Sequence, residues 1–381
     1  MKIAVNAIPM AGLLTGIARY LRNLYNAMAM NRETQLFYFN GKKMLSAMPS
    51  LPNSNQRQQT IKILRQLPDP LLFTLRAARW LKYEHNLNHL CNKPPSPPVN
   101  LYHETAFTPA RLTKVPTVYS VYDLSLRKYR DTQPKERVWL FEHFIKTRLQ
   151  YAKHILTISE FIRQEIIHEF KVHPSMVTAV HLAPDPLFFP CNIVRLEEVK
   201  VKYGLPESYL LFVSSQEPRK NIVLLIDALE KLKTDIPLVL TGWQGWGEKQ
   251  WLDRIKNARF KNPIYFTGHI PDRDLQAIYT GAMALIYPSI YEGFGLPIIE
   301  AMACGCPVIC SNTASMPEVA GNAAILIDPS KSDDLAQAIE SILYDTELRN
   351  SFAIKGVMQA SHFSWKDTAQ KTLALFKEVA K

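Results

Sequence analysis

The sequence is poor in cysteine, in long apolar runs and, over its first half, in acidic residues. Five cysteines occur in 381 residues, three of them crowded as CGCPVIC (304–310), and they offer neither a disulfide framework nor paired CxxC metal spacing. Small buried thiols in a reducing cytoplasm fit them better. No window holds the ~18 uninterrupted apolar residues of a membrane span. The opening MKIAVNAIPMAG enters a strand-like run without the basic, apolar and cleavage regions of a secretory leader, so a cytoplasmic location is expected. NAIPMAGLLTGIAR provides no Gly-x-Gly-x-x-Gly after the first strand, which speaks against an NAD-dependent oxidoreductase. Without a zinc finger or an RNP-like aromatic strand, nucleic acid is not an expected partner.

What is present is an ordinary globular composition, 47% hydrophobic and 21% charged, in a chain long enough for two domains. The charge is uneven. Residues 1–190 carry 25 Lys+Arg against 12 Asp+Glu, and residues 191–381 carry 20 against 22, so one half faces an anionic partner. The excess is dense from Arg57 to Lys93, where Arg57, Lys62, Arg65, Arg76, Arg79 and Lys82 are opposed only by Asp69 and Glu84. Apolar Ile61, Leu64, Leu71, Leu72, Leu75, Trp80 and Leu81 alternate with them at roughly helical spacing. A basic amphipathic helix bearing Trp is the pattern of a segment lying on anionic lipid; a solvated charged face over a core-facing stripe is the other reading.

Short apolar runs alternate with helical stretches throughout. YLLFVS (209–214), IPLVLTG (236–242), PIYFTG (263–268), ALIYPS (284–289), PVICSN (307–312) and AAILID (323–328) are separated by segments such as NIVLLIDALEKL. KIAVNA (2–7), QLFYFN (35–40), VNLYH (99–103), TVYSVYD (117–123), HILTIS (154–159) and MVTAVH (176–181) play the same part earlier. Buried strands alternating with helices predict α/β architecture: parallel sheets covered on both faces, in two Rossmann-like domains. The regular pattern lapses in LAPDPLFFP (182–190), giving expected domains 1–185 and 186–365, with a C-terminal helix 366–381 returning to the first. Ligands of open parallel sheets bind beyond the strands' carboxyl ends, so a cleft between the two is expected.

The segment YPSIYEGFGLPIIEAMACG (287–305) places Gly293 and Gly295 in the loop between a strand and a helix. Glycine permits positive φ and close backbone approach to a ligand. Pro297 suits the first helical turn, where its missing N–H costs nothing. Unpaired N–H groups and the positive end of the helix dipole then form an anion site fit for phosphates. Glu300 stands near the helix start, suited to ribose hydroxyls, and Glu292 lies on the loop.

EGFGLPIIE resembles the Glu-x7-Glu motif of retaining glycosyltransferases of family 4, which have the two-Rossmann-domain GT-B fold. The likeness extends through PVICSNTASMPEVAGNAAILIDP, GWQGWG, FTGHIPDRDLQAIYTGA and SSQEPRKNI, and in the first half through GLLTGIARYLRNL, LYHETAFTP, VYDLSLRKY and ILTISEFIRQEI. It is greatest with bacterial GDP-mannose-dependent transferases of O-antigen and related polysaccharides. The resemblance implies a GDP-mannose donor (UDP- or dTDP-hexose being the alternative), no metal or other cofactor, a lipid-linked glycan acceptor, and a peripheral place on the inner membrane face. It assigns Lys220 and Arg219 to the donor diphosphate and Glu292 to the transferred sugar. Gly293, Phe294, Gly295 and Leu296 line sugar and phosphate, Glu300 takes the ribose, His269 and Ile270 the base, and Gly16 a loop over the sugar-phosphate.

Two departures stand out. Ser214 occupies a position that is often basic, which leaves more of the phosphate charge to Arg219. Tyr122-Asp123 stands in place of His-Asp, so Asp123 and, as the cleft-facing imidazole, His103 are expected to serve that side. Asp272-x-Asp274 could be read as a metal-binding pair, but directly after Pro271 it reads as helix capping.

Overall fold

The sheets are parallel because helices separate almost every pair of strands. The computed structural model describes residues 1–11, 15–51, 69–92, 99–242, 248–257 and 262–381. Two α/β units are present, Met1–Leu182 together with Trp365–Lys381, and Ala183–Ser364.

In the first unit, β1 (Lys2–Asn6), β2 (Gln35–Phe39), β3 (Met44–Leu45), β4 (Leu101–Glu104), β5 (Thr117–Val121), β6 (His154–Thr157) and β7 (Val177–Ala179) form one sheet in the order β3-β2-β1-β4-β5-β6-β7. All pairs are parallel except the β2–β3 hairpin. Its helices are α1 (Gly16–Ala29), α2 (Asp69–Asn92), α3 (Ser125–Lys128), α4 (Lys135–Leu149) and α5 (Glu160–Phe170). The second unit's sheet has the order β10-β9-β8-β11-β12-β13, all parallel. It contains β8 (Leu210–Val213), β9 (Leu238–Thr241), β10 (Ile264–Gly268), β11 (Ala284–Tyr287), β12 (Val308–Ser311) and β13 (Ile325–Ile327). Helices α6 (Ile193–Tyr203), α7 (Ile222–Leu229), α8 (Glu248–Asn257), α9 (Asp272–Gly281), α10 (Leu296–Ala303), α11 (Met316–Ala320), α12 (Ser332–Tyr344) and α13 (Thr346–Ser361) accompany it.

Every residue of β8, β9, β11 and β12 is buried, as a sheet covered on both faces requires. Leu210, Phe212, Ile286 and Ile309 pack with Leu225 of α7 and Leu335 and Ile339 of α12 in one core. The last helix, α14 (Trp365–Val379), belongs to the first unit. Trp365 meets Tyr20 of α1 with ring centroids 6.1 Å apart, and Thr368 donates to the His181 carbonyl at 2.8 Å.

The basic segment expected at Arg57–Lys93 lies partly outside the described residues, Lys62 and Arg65 included. Within α2, Trp80 is not a free surface anchor. It stacks on Phe144 of α4 at 4.3 Å, beneath the Arg148 guanidinium at 5.0 Å, and its indole N–H donates to the Thr108 carbonyl. An amphipathic ring near the domain's own core is covered by that core before lipid can reach it. Arg76 pairs with Glu136 at 3.2 Å. The exposed face of α2 carries Leu71, Leu75 and Leu81, each about half exposed at 47–50%, beside exposed Arg79 and Lys82.

The capping reading of Asp274 also needs correction. Pro271 is the N-cap of α9. The Asp274 carboxylate is buried and binds Arg195, the Lys202 ammonium at 2.7 Å and the Tyr203 hydroxyl at 2.7 Å, which ties α9 to α6.

Candidate active site

In the second unit the strand order runs outward from β8 in one direction and from β11 in the other. Between such strands the connections leave on opposite sides, which opens a crevice at their carboxyl ends. The segments emerging there are Ser214–Lys220 after β8 and Pro288–Gly295 after β11.

The first ends in a tight turn, Pro218–Lys220, closed by Asn221 in the left-handed region at φ 59°. The Asn221 amide donates to the Pro288 carbonyl at 3.1 Å and the Pro329 carbonyl at 2.8 Å, while Ile290 N–H donates to the Arg219 carbonyl at 2.9 Å. The turn is therefore sewn to the loop after β11. That loop is held in turn by Ser315, whose hydroxyl donates to the Glu292 carbonyl at 2.9 Å, and by Thr313, which donates to the Ile290 carbonyl at 3.1 Å. Gly295 caps α10 at φ 96°, a conformation that side chains disfavour, and a Cβ there would lie 3.0 Å from Ile298 Cδ1.

This framework brings three charged side chains together out of water. Lys220 Nζ lies 2.6 Å from Glu292 Oε1, and an Arg219 NH1 nitrogen lies 3.1 Å from Glu292 Oε2. All three are buried, at 7–8% exposure. Arg219 also donates to the Tyr291 carbonyl and stands 3.6 Å from Glu217. Burial alone would raise the Glu292 pKa, but the Lys220 and Arg219 charges outweigh it and bring the group down to about 2. The carboxylate is thus ionised and acceptor-only. Two cations face two carboxylates, Glu292 at 2.6–3.1 Å and Glu217 at 3.6 Å, so the cluster is charge-balanced in a desolvated place and its cations are what a diphosphate would meet.

The remaining second-unit residues surround this cluster in varied settings. Gly293 and Phe294 are buried, and Phe294 meets Phe363 edge to face at 5.8 Å. Leu296 is half-buried at the first position of α10. Glu300, the fifth residue of α10, is buried and accepts from the Tyr279 hydroxyl at 3.2 Å. Ser214 is half-buried, and Gly242 passes so close that a Cβ there would lie 1.9 Å from the Ser214 carbonyl oxygen. At the end of β10, His269 is exposed and Ile270 buried.

The first-unit candidates behave differently. Gly16 is exposed and opens α1, capped by Thr15. His103 is not the expected open imidazole. It is fully buried, its Nδ1 paired with the Tyr25 hydroxyl and its Nε2 2.7 Å from Ser120 Oγ, with Phe376 of α14 packed at 5.1 Å. Burial pushes its pKa down to about 3, so the ring is neutral. Asp123 Oδ1 accepts from Ser125 N–H at 2.8 Å and fastens the start of α3, and Tyr122 donates to the Thr105 carbonyl at 2.9 Å.

A family model described as glycosyl transferases group 1 matches residues 197–357. O-antigen chain mannosyltransferase B from Escherichia coli is 33% identical over 99% of this chain and 100% of its own length. The chain belongs to the glycosyl transferases group 1 family. Sucrose-phosphate synthase from Thermosynechococcus elongatus superposes with a TM-score of 0.76 at 19% identity, covering 100% of this chain and 99% of its own. WaaG, a glycosyltransferase involved in lipopolysaccharide biosynthesis, superposes with 0.69 at 15%, covering 99% of both chains. The glycosyltransferase shares with them the GT-B architecture of two parallel-sheet α/β domains.

Two polar features of this glycosyltransferase escaped the sequence reading. Tyr287, the last residue of β11, places its hydroxyl 3.0 Å from Glu292 Oε1 and 3.3 Å from Lys220 Nζ. The signal was a polar-tipped residue ending a buried strand directly before the glycine loop. The other is Glu104 at the end of β4, fully buried. It accepts from Asn6 Nδ2 at 2.5 Å, Tyr83 Oη at 2.9 Å and the backbone N–H groups of Ala106 at 3.0 Å and Ala110 at 3.2 Å.

Proposed function

We propose that this glycosyltransferase moves an α-mannosyl group from GDP-mannose to a lipid-linked glycan, with retention at the anomeric carbon, in the assembly of an O-antigen-like polysaccharide. The observation that carries the reading is the buried Lys220–Arg219–Glu292 cluster at the strand-order reversal. The full-length likeness to a mannosyltransferase of O-antigen chains supports the choice of sugar.

In this reading the bond from the sugar's anomeric carbon to the β-phosphate oxygen breaks, and its electron pair leaves with GDP. Lys220 and Arg219 stabilise that charge, aided by the start of α10, and stand where a metal ion serves in other phosphate chemistry. Preorganised charge of this kind is the strongest lever a site has on such a step. Glu292 holds hydroxyls of the sugar as it becomes oxocarbenium-like. The acceptor hydroxyl attacks from the face the diphosphate leaves, and its proton passes to the departing diphosphate. Gly293, Phe294, Gly295 and Leu296 line the sugar-phosphate, Glu300 binds the ribose, and His269 and Ile270 border the base. An anionic membrane surface is the proposed partner of α2, through Leu71, Leu75, Leu81, Arg79 and Lys82.

Offering the purified protein GDP-mannose, UDP-hexoses and dTDP-hexoses with a polyprenyl-linked glycan tests this directly. Selective consumption of GDP-mannose with extension of the glycan is the expected result. Preference for a UDP or dTDP donor would refute the donor assignment.

A further inference from the structure

We propose that Tyr287 is a positioning residue for the transfer step, its hydroxyl fixing the Lys220 ammonium and the Glu292 carboxylate relative to each other. The proposal rests on the functional reading given above for those two residues.

The chemistry of the three groups settles the direction of each bond. An ammonium has only donors and an ionised carboxylate only acceptors. The Tyr287 hydroxyl therefore accepts from Lys220 at 3.3 Å and donates to Glu292 Oε1 at 3.0 Å. Burial holds the phenol pKa well above its ordinary value, so the proton stays on oxygen. Lys220 Nζ also stands 5.5 Å from the Tyr287 ring centroid, where the ring's negative face attracts a cation.

The three residues have supports of different stiffness. Lys220 sits in a turn and Glu292 in a loop, whereas Tyr287 ends a central strand, pairs in register with Cys310 of β12 and is 2% exposed. Groups on strands hold their place better than groups on loops. The Lys220–Glu292 pair has a conflict that such a support resolves. A diphosphate arriving at Lys220 competes with Glu292 for the same ammonium. A carboxylate whose two cations, Lys220 on Oε1 at 2.6 Å and Arg219 on Oε2 at 3.1 Å, both turned to the diphosphate would drift or take up a proton unless a neutral donor kept it in place. Tyr287 is that donor, neutral and therefore indifferent to the phosphate charge. A phenol is long enough to reach from the strand end to both groups, which explains a tyrosine at a position otherwise buried in apolar core.

The test compares Tyr287→Phe with the wild type in GDP affinity, in kcat and KM for GDP-mannose, and in the pH dependence of kcat/KM. Loss of one hydrogen bond to a charged group predicts a kcat lower by about tenfold to a hundredfold, with GDP affinity within about twofold. The acidic limb moves to higher pH, because Glu292 has lost a donor. Site-specific 3-fluorotyrosine at 287 keeps the shape and strengthens donation, so its acidic limb moves to lower pH; it also serves if the Phe variant folds poorly. Opposite shifts of the limb in the two variants support the proposal, since a merely structural role moves neither. A wild type that is active beside folded variants with unchanged kcat and pH profile overturns it while leaving the functional reading intact. A wild type that neither binds nucleotide nor transfers sugar overturns that reading, and the proposal with it.

Discussion

Lys220 and Glu292 stand 72 positions apart in the chain, yet their side chains meet at 2.6 Å inside the second unit. Removing one partner of a buried pair typically costs ~3–5 kcal/mol, and without Lys220 the Glu292 carboxylate keeps only the Arg219 cation, at 3.1 Å. Lys220→Met is therefore expected to lose both turnover, by at least about a hundredfold, and stability. Lys220→Met combined with Glu292→Leu should recover much of the melting temperature and none of the activity. Thermal unfolding and initial rates on the three proteins check this. Recovery of activity in the double variant would show that the pair is structural.

Glu292 engages both cations before any donor arrives. Substituting Glu292→Gln removes the negative charge that competes with phosphate, so GDP should bind the variant more tightly, by about fivefold or more. Sugar transfer should be lost. Isothermal calorimetry with GDP decides the sign, and weaker binding would mean that Glu292 itself holds the nucleotide. The pH consequence is separate. The Glu292 pKa lies below its unfolded value, so the stability it contributes is full above about 4.5 and disappears as pH falls through about 2.

Much of the second unit is legible because its strands are short, apolar and fully buried. YLLFVS and IPLVLTG contain Leu210–Val213 and Leu238–Thr241, and the glycine loop falls at the carboxyl end of Ala284–Tyr287. The same burial hides the polar contacts. In a strand covered on both faces the alternation of polar and apolar residues disappears, so nothing in LYHE tells whether His103 meets a ligand or the core. It meets Tyr25, Ser120 and Phe376, two of them from helices remote in sequence. Trp80 is a similar case, since its helical spacing suits lipid and core equally. Pairings such as Tyr287 with Lys220 depend on strand order, which no local pattern encodes.

His103 gives a second pH dependence of known sign. Its native pKa of about 3 lies below the ordinary 6.5, so between these values the unfolded chain binds a proton that the native protein refuses. Stability is unaffected above about 6.5 and falls as pH drops toward 3, by up to ~1.4 kcal/mol per pH unit. His103→Gln should flatten the dependence between pH 6 and 4, at a cost of about 1–3 kcal/mol at neutral pH from the altered hydrogen bonds. Denaturant unfolding at several pH values measures both. A curve parallel to wild type would show that the imidazole becomes protonated in the native state.

The exposed face of α2 offers Arg79 and Lys82 beside Leu71, Leu75 and Leu81. Each cation near an anionic surface contributes about 1 kcal/mol, screened over ~10 Å at moderate salt. Sedimentation with phosphatidylglycerol vesicles should show binding that high salt releases, and weak binding to neutral vesicles. Arg79→Glu with Lys82→Glu should lower the affinity by about tenfold or more while leaving GDP binding unchanged. Vesicle binding equal to wild type would remove α2 from the membrane contact.

The most direct test of the account is the anomeric configuration of the product made from GDP-mannose and a polyprenyl-linked glycan in EDTA, read by NMR. The account predicts an α-mannosyl linkage, formed at a rate that EDTA leaves within about twofold, because Lys220 and Arg219 stabilise the leaving diphosphate. A β-linked product, or transfer abolished by EDTA and restored by a divalent cation, would contradict it.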